Sequence, residues 1–161
     1  MGTVNVPPVK SSGDSERLRA RVAPVVRRVE DRSIQEVARA VVDVATRARS
    51  RSLSPDDLTG GTFTVTNPGQ YGTLFQFPII NQPQVAILST DGIARRPTVV
   101  ADPDGNESIE ARSLGVLALA WDHRAFDGAY AAAFLRSMKR TLEDADWATR
   151  WEAGRPTDAD G

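Results

Sequence analysis

The chain has 161 residues, a net charge of −1, one histidine and no cysteine. That length supports a single core, and the balanced charge without a basic stripe argues against nucleic acid as a main ligand. Missing cysteines exclude disulfides and thiolate sites, a lone histidine leaves no histidine-rich metal site, and no apolar run reaches membrane-spanning length.

The N-terminus lacks the apolar core of a secretory signal, so a cytoplasmic protein with no membrane partner is expected. Its basic residues are nearly all arginine, with Lys10 and Lys139 the only lysines. Residues 1–21 read as an extended or disordered arm, rich in turn formers such as Pro7-Pro8 and Ser11-Ser12-Gly13. A short helical turn is expected across Ser15–Ala20, and Val22–Val26 is a strand candidate. The clearest helix starts at Ser33, with Glu36 three residues later as a capping box. Ile34, Val37, Ala38, Val41, Ala45 and Ala48 form its apolar stripe, with Arg39, Asp43, Arg47 and Arg51 opposite. A short turn or helix follows from Ser54 to Leu58 and ends at Gly60-Gly61.

From Thr62 the period changes to two. Thr62–Thr66 alternates like a strand and Asn67-Pro68-Gly69 is a turn. Val85–Leu88 reads as a buried strand. Ile93–Val100 and Ser108–Arg112 flank Asp102–Asn106 as a hairpin. Leu114–Trp121 is apolar nearly throughout, which predicts a central strand covered on both faces. A last helix begins near Asp127 with an apolar stripe of Ala131, Phe134, Leu135, Met138 and Leu142, and Trp147 and Trp151 close a C-terminal turn. Helix, several strands, then helix indicates an α+β sandwich, a mixed β-sheet with helices packed on it.

His123 is the only imidazole and stands between a predicted strand and a helix, where a side chain can be held in a cleft. An imidazole can take a proton from a thiol or hydroxyl at working pH. A lone histidine is by default structural more often than catalytic, so its surroundings decide. Asp122-His123-Arg124 followed by Ala125-Phe126-Asp127-Gly128 resembles the signature of the dihydrolipoamide acyltransferases, the catalytic cores of 2-oxo acid dehydrogenase complexes. Gly60–Gly69, Pro78–Leu88 and Asp127–Arg136 resemble that family's neighbouring blocks in the same order. The similarity runs from about Val22 to about Trp147.

The resemblance implies a chloramphenicol acetyltransferase-like fold, shortened at its N-terminus, with residues 22–152 as a partial catalytic domain and 153–161 as a tail. It implies that acetyl or succinyl groups move between dihydrolipoamide and coenzyme A. Coenzyme A is then a substrate, the lipoyl group comes from another domain or protein, and no metal is required. His123 becomes the general base, and Thr66 the hydroxyl donor to the oxyanion. Asp127 supports the active-site loop, a role that competes with simple helix capping. Asp122 and Arg124 organise that loop, Gly128 permits close packing, and Asn67 and Gly69 shape the turn beneath Thr66. The resemblance also implies a homotrimer, often built into a larger core, whose site draws histidine and hydroxyl from neighbouring chains. Two alternatives stay open: a truncated non-catalytic trimeric module, and a related acyltransferase with a carrier-bound hydroxyl acceptor.

Overall fold

The computed structural model describes residues 2–5 and 23–154. Helix α1, Ile34–Arg49, begins where Ser33 accepts from the Glu36 amide and Glu36 accepts from the Ser33 amide at 2.7 Å, the reciprocal cap expected there. Its buried side is Gln35, Val44 and Ala45, not the full expected stripe, since Ile34 is exposed. Gln35 is buried because its amide donates to the carbonyl of Trp151 at the far end of the chain. Arg47 departs from the expected solvent face: it bridges Asp43 at 2.9 Å and Asp57 at 2.5 Å. The Arg47 hydrogen bond holds the Asp57 carboxyl down to about 2 and ties α1 to the short helical turn Pro55–Leu58.

Among the described residues five strands form the main sheet: β1 Gly2–Asn5, β2 Val25–Val26, β3 Phe63–Thr66, β4 Ala86–Thr90 and β7 Leu117–Trp121, in the order β2-β1-β3-β4-β7. β1, β3 and β4 run parallel, while β2 and β7 are antiparallel to their neighbours. Strand β1 was not foreseen: four residues of the expected arm fill the slot between β2 and β3. The expected strand over Val22–Val26 is confined to Val25–Val26, and the turn expected at Ser15–Ala20 lies outside the described residues.

β4 is the most buried strand, with Ala86, Ile87, Leu88 and Ser89 all inaccessible. The apolar run expected as a central strand instead splits. Leu114 ends the preceding strand, Gly115-Val116 breaks the chain, and among the described residues β7 pairs with β4 alone, half-buried along its length. An apolar composition alone does not distinguish a central strand from an edge strand whose outer side is also apolar. β5, Ala94–Ala101, and β6, Glu107–Leu114, form the expected hairpin as a separate two-stranded sheet.

Helix α2, Gly128–Asp144, covers one face of the main sheet, where Phe134 meets Phe63 at 5.9 Å between ring centroids. Ala131 is its buried anchor, while Leu142 at the end of the expected stripe is exposed. Helix α3, Trp147–Ala153, replaces the expected C-terminal turn. Thr64 and Thr66 point to the opposite face by strand alternation. There the crossover between β3 and β4 folds back: Asn81 donates to the Thr64 hydroxyl at 3.1 Å, and that hydroxyl donates to Gln84 at 2.7 Å. The molecule is therefore an α+β arrangement, with α2 on one side of a mixed sheet and a polar crossover on the other. No helix among the described residues is long and apolar enough to cross a membrane.

Candidate active site

His123 sits in a tight loop that begins where β7 ends. The Asp122 amide donates to the Val85 carbonyl at 2.8 Å, and the Ala125 amide donates back to the Asp122 carbonyl at 2.9 Å. The Asp122 carboxylate accepts from the Arg124 amide at 2.9 Å and from the Arg124 guanidinium, the shortest contact being 2.6 Å. That guanidinium holds the Asp122 carboxyl down to about 2, so the clamp is ionised across the neutral range. An exposed pair of this kind contributes little to stability, but its fork geometry fixes the direction of the loop.

The imidazole of His123 is exposed and lies 5.2 Å from the Trp121 ring, tilted by 44°. Among the described residues it makes no hydrogen bond or ion pair. Trp121 stacks in turn on Phe126 at 6.1 Å and donates its indole N–H to the Phe126 carbonyl at 3.1 Å. The apolar run marks Trp121 only as a strand residue. Its position two before His123, on the same side of an extended chain, was the available signal.

Asp127 caps α2: its carboxylate accepts from the Tyr130 amide at 2.8 Å. A carboxylate at a helix start also complements the positive end of the helix dipole. Gly128 departs from its expected packing role, since a Cβ there would meet nothing within 4 Å. No His, Cys, Asp or Glu group among the described residues gathers in a way that could hold a metal ion.

Thr66 ends β3, half-buried, and no side-chain partner is formed by its hydroxyl among the described residues. Asn67 turns the chain immediately afterwards by accepting from the Gly69 amide at 2.8 Å. Gly69 then lies so close to Gly92 that a Cβ would stand 2.7 Å from the Gly92 backbone. Glycine is therefore required at 69 by contact, a stronger reason than turn chemistry alone.

The register does not bring Thr66 and His123 together in one chain. Thr66 is level with Ser89, and Trp121 is level with Ala86, at opposite ends of β4. Three strand positions separate those levels, which is about 10 Å along the strands and a further ~10 Å across two strand spacings. His123 then lies beyond Trp121, farther still from Thr66. The two groups can meet only if they come from different copies of the chain.

The family described as 2-oxoacid dehydrogenases acyltransferase (catalytic domain) matches residues 20–149. The acetyltransferase component of the pyruvate dehydrogenase complex from Mycobacterium bovis is 50% identical over 123 residues, covering 76% of this chain and 22% of that protein. The cubic core of the pyruvate dehydrogenase multienzyme complex superposes with a TM-score of 0.74 at 29% identity, covering 89% of this chain and 53% of that one. Azotobacter vinelandii dihydrolipoamide acetyltransferase superposes with a TM-score of 0.69 at 34% identity, covering 76% of this chain and 49% of that one. In that protein a serine, a histidine and an asparagine four positions after the histidine were investigated for their role in catalysis. The chain thus spans about a fifth of the mycobacterial relative and about half of each core structure.

Proposed function

Because the chain belongs to the family of 2-oxoacid dehydrogenase acyltransferase catalytic domains, we propose that it moves an acetyl group between dihydrolipoamide and coenzyme A at a site shared between two copies of itself. Succinyl is the alternative acyl group. Residues 22–152 form the catalytic unit in this reading, a chloramphenicol acetyltransferase-like fold, with 1–21 as its arm and 153–161 as a tail. The observation that carries the shared site is the placement of Thr66 and His123 at opposite ends of one sheet. A homotrimer closes such a head-to-tail contact into a ring with three equivalent sites. The lipoyl group arrives on another domain or protein, and trimers pack further into a larger core.

The mechanism assigned to these residues is acyl exchange between two thiols. The His123 imidazole takes the proton of the attacking thiol, and the resulting thiolate adds to the thioester carbonyl. Charge then develops on the carbonyl oxygen, where the Thr66 hydroxyl of the neighbouring copy donates a hydrogen bond. Collapse of the tetrahedral species breaks the old carbon–sulfur bond, and the departing thiolate recovers the proton from the imidazolium. Asp127 takes no part in proton movement: it anchors the start of α2 and so the loop carrying His123. It stands four positions after the histidine, the place of the asparagine in the Azotobacter enzyme.

Mixing two inactive variants tests this directly. His123→Ala and Thr66→Val proteins, co-expressed, form mixed rings in which about a quarter of the sites combine an intact histidine with an intact threonine. Acyl transfer from acetyl-coenzyme A to dihydrolipoamide should therefore return to about a quarter of the wild-type rate, although each variant alone is nearly silent. Mixed particles with no recovered activity would show that both groups act within one chain or that one of them does not act.

A further inference from the structure

We infer that Asp91 is a positioning residue for Thr66, holding the segment that follows Thr66 by a buried carboxylate latch; this rests on the oxyanion role proposed for Thr66. Asp91 lies just past β4, at the same end of the sheet as Thr66, and is only 3% exposed. Its carboxylate accepts three hydrogen bonds of 3.3 Å each, from the Thr73 hydroxyl, the Gln76 amide and the Ser89 hydroxyl. No ion pair to Asp91 is formed among the described residues. A carboxylate kept out of water without a cation is costly, and a core position with no function would be better filled by a neutral residue.

The donors show what the latch holds. Thr73 and Gln76 both belong to the crossover that starts directly after Thr66, while Ser89 is the strand partner of Thr66 itself. Gln76 adds a second tie, its amide donating to the Ser89 hydroxyl at 2.9 Å. The Gly92 amide donates to the Thr73 carbonyl at 3.2 Å, and Gly69 packs against Gly92. The turn 67–72 is thus pinned at both ends, by β3 on one side and by Asp91 and Gly92 on the other.

A carboxylate accepts at both oxygens and donates nothing, so it orders all three donors in one sense. The Ser89 hydroxyl is committed as donor to Asp91 and as acceptor from Gln76. Thr66 beside it keeps its own hydroxyl proton for a substrate oxygen. Orientation of that donor decides its worth, because a shift of about 1 Å in a catalytic group can cost roughly a hundredfold.

The test compares Asp91→Asn, Thr66→Val and their double variant as the full chain in its native assembly. Asp91→Asn should lower kcat by about tenfold to a hundredfold while the KM for coenzyme A stays within about twofold, with circular dichroism and particle mass unchanged. The double variant should be no slower than Thr66→Val alone, since a residue acting through Thr66 has nothing left to position. Losses that multiply in the double variant, or a wild-type kcat for Asp91→Asn, would overturn the latch and leave the acyltransferase reading intact. A wild-type rate for Thr66→Val would instead sink the oxyanion role together with the latch. Should Asp91→Asn fail to fold, Thr73→Val removes one donor at the rim and should show the same kcat-only, non-multiplying loss.

Discussion

A hydroxyl donated to an oxyanion and an imidazole that takes a proton differ in what their removal leaves behind. In the proposed mechanism, the thiol must ionise unaided without His123. Without the Thr66 hydroxyl the proposed base still works, but the developing charge loses its donor. We expect Thr66→Val to cost about 3 kcal/mol of transition-state stabilisation, a hundredfold or more in kcat. The KM for coenzyme A should barely change, because a donor to the transition state binds the ground state little. His123→Ala should lose acyl transfer at all pH values, because no other group stands in for the imidazole as base. Steady-state kinetics across pH 5–8 would check both, and a Thr66→Val enzyme with raised KM and unchanged kcat would count against the assignment. The motif around His123 was readable as residues in a row. The Asp91 latch was not, because Ser89-Thr90-Asp91 looks like an ordinary strand end until the crossover closes over it.

At the level of elements, short-range chemistry accounts for the ends of the helices. Ser33 and Glu36 cap α1 reciprocally, and Asp127 caps α2. Replacing Ser33 by Ala should destabilise the fold by about 1 kcal/mol. In urea unfolding the midpoint should fall with an unchanged slope, since the surface exposed on unfolding stays the same. An unchanged midpoint would mean that packing of Val44 and Ala45, rather than the cap, determines where α1 starts. The buried faces were less legible. Gln35 is inside because a carbonyl of α3 meets it, and Arg47 leans inward because Asp57 is there. Both partners are remote in sequence, so helical periodicity could not foresee them.

For the molecule as a whole, the exposed apolar side chains match a surface meant to be covered. Phe77 and Ile79 of the crossover are each 86% exposed, and Ile109 on β6 is 77% exposed. Bulky apolar side chains left this open to water fit a surface that a partner covers. Light scattering should therefore give a particle of three chains or a multiple of three, each of 17.4 kDa. Phe77→Asp combined with Ile79→Asp should lower that mass and abolish acyl transfer together, if the interface also builds the site. A monodisperse single chain with full activity would exclude the shared site.

Local features are legible in the order of residues alone: the capping box at Ser33, the hairpin around Asp102–Asn106, the helix after Asp127 and the imidazole at His123. Those depend on neighbours a few residues apart, where residue type alone sets the geometry. Long-range packing is what brings residues 2–5 into the sheet, leaves β7 at its edge, makes β4 its most buried strand and sets Thr66 and His123 at opposite ends. Strand order and register come from contacts between distant segments, and an apolar run carries no mark of which strand will lie beside it.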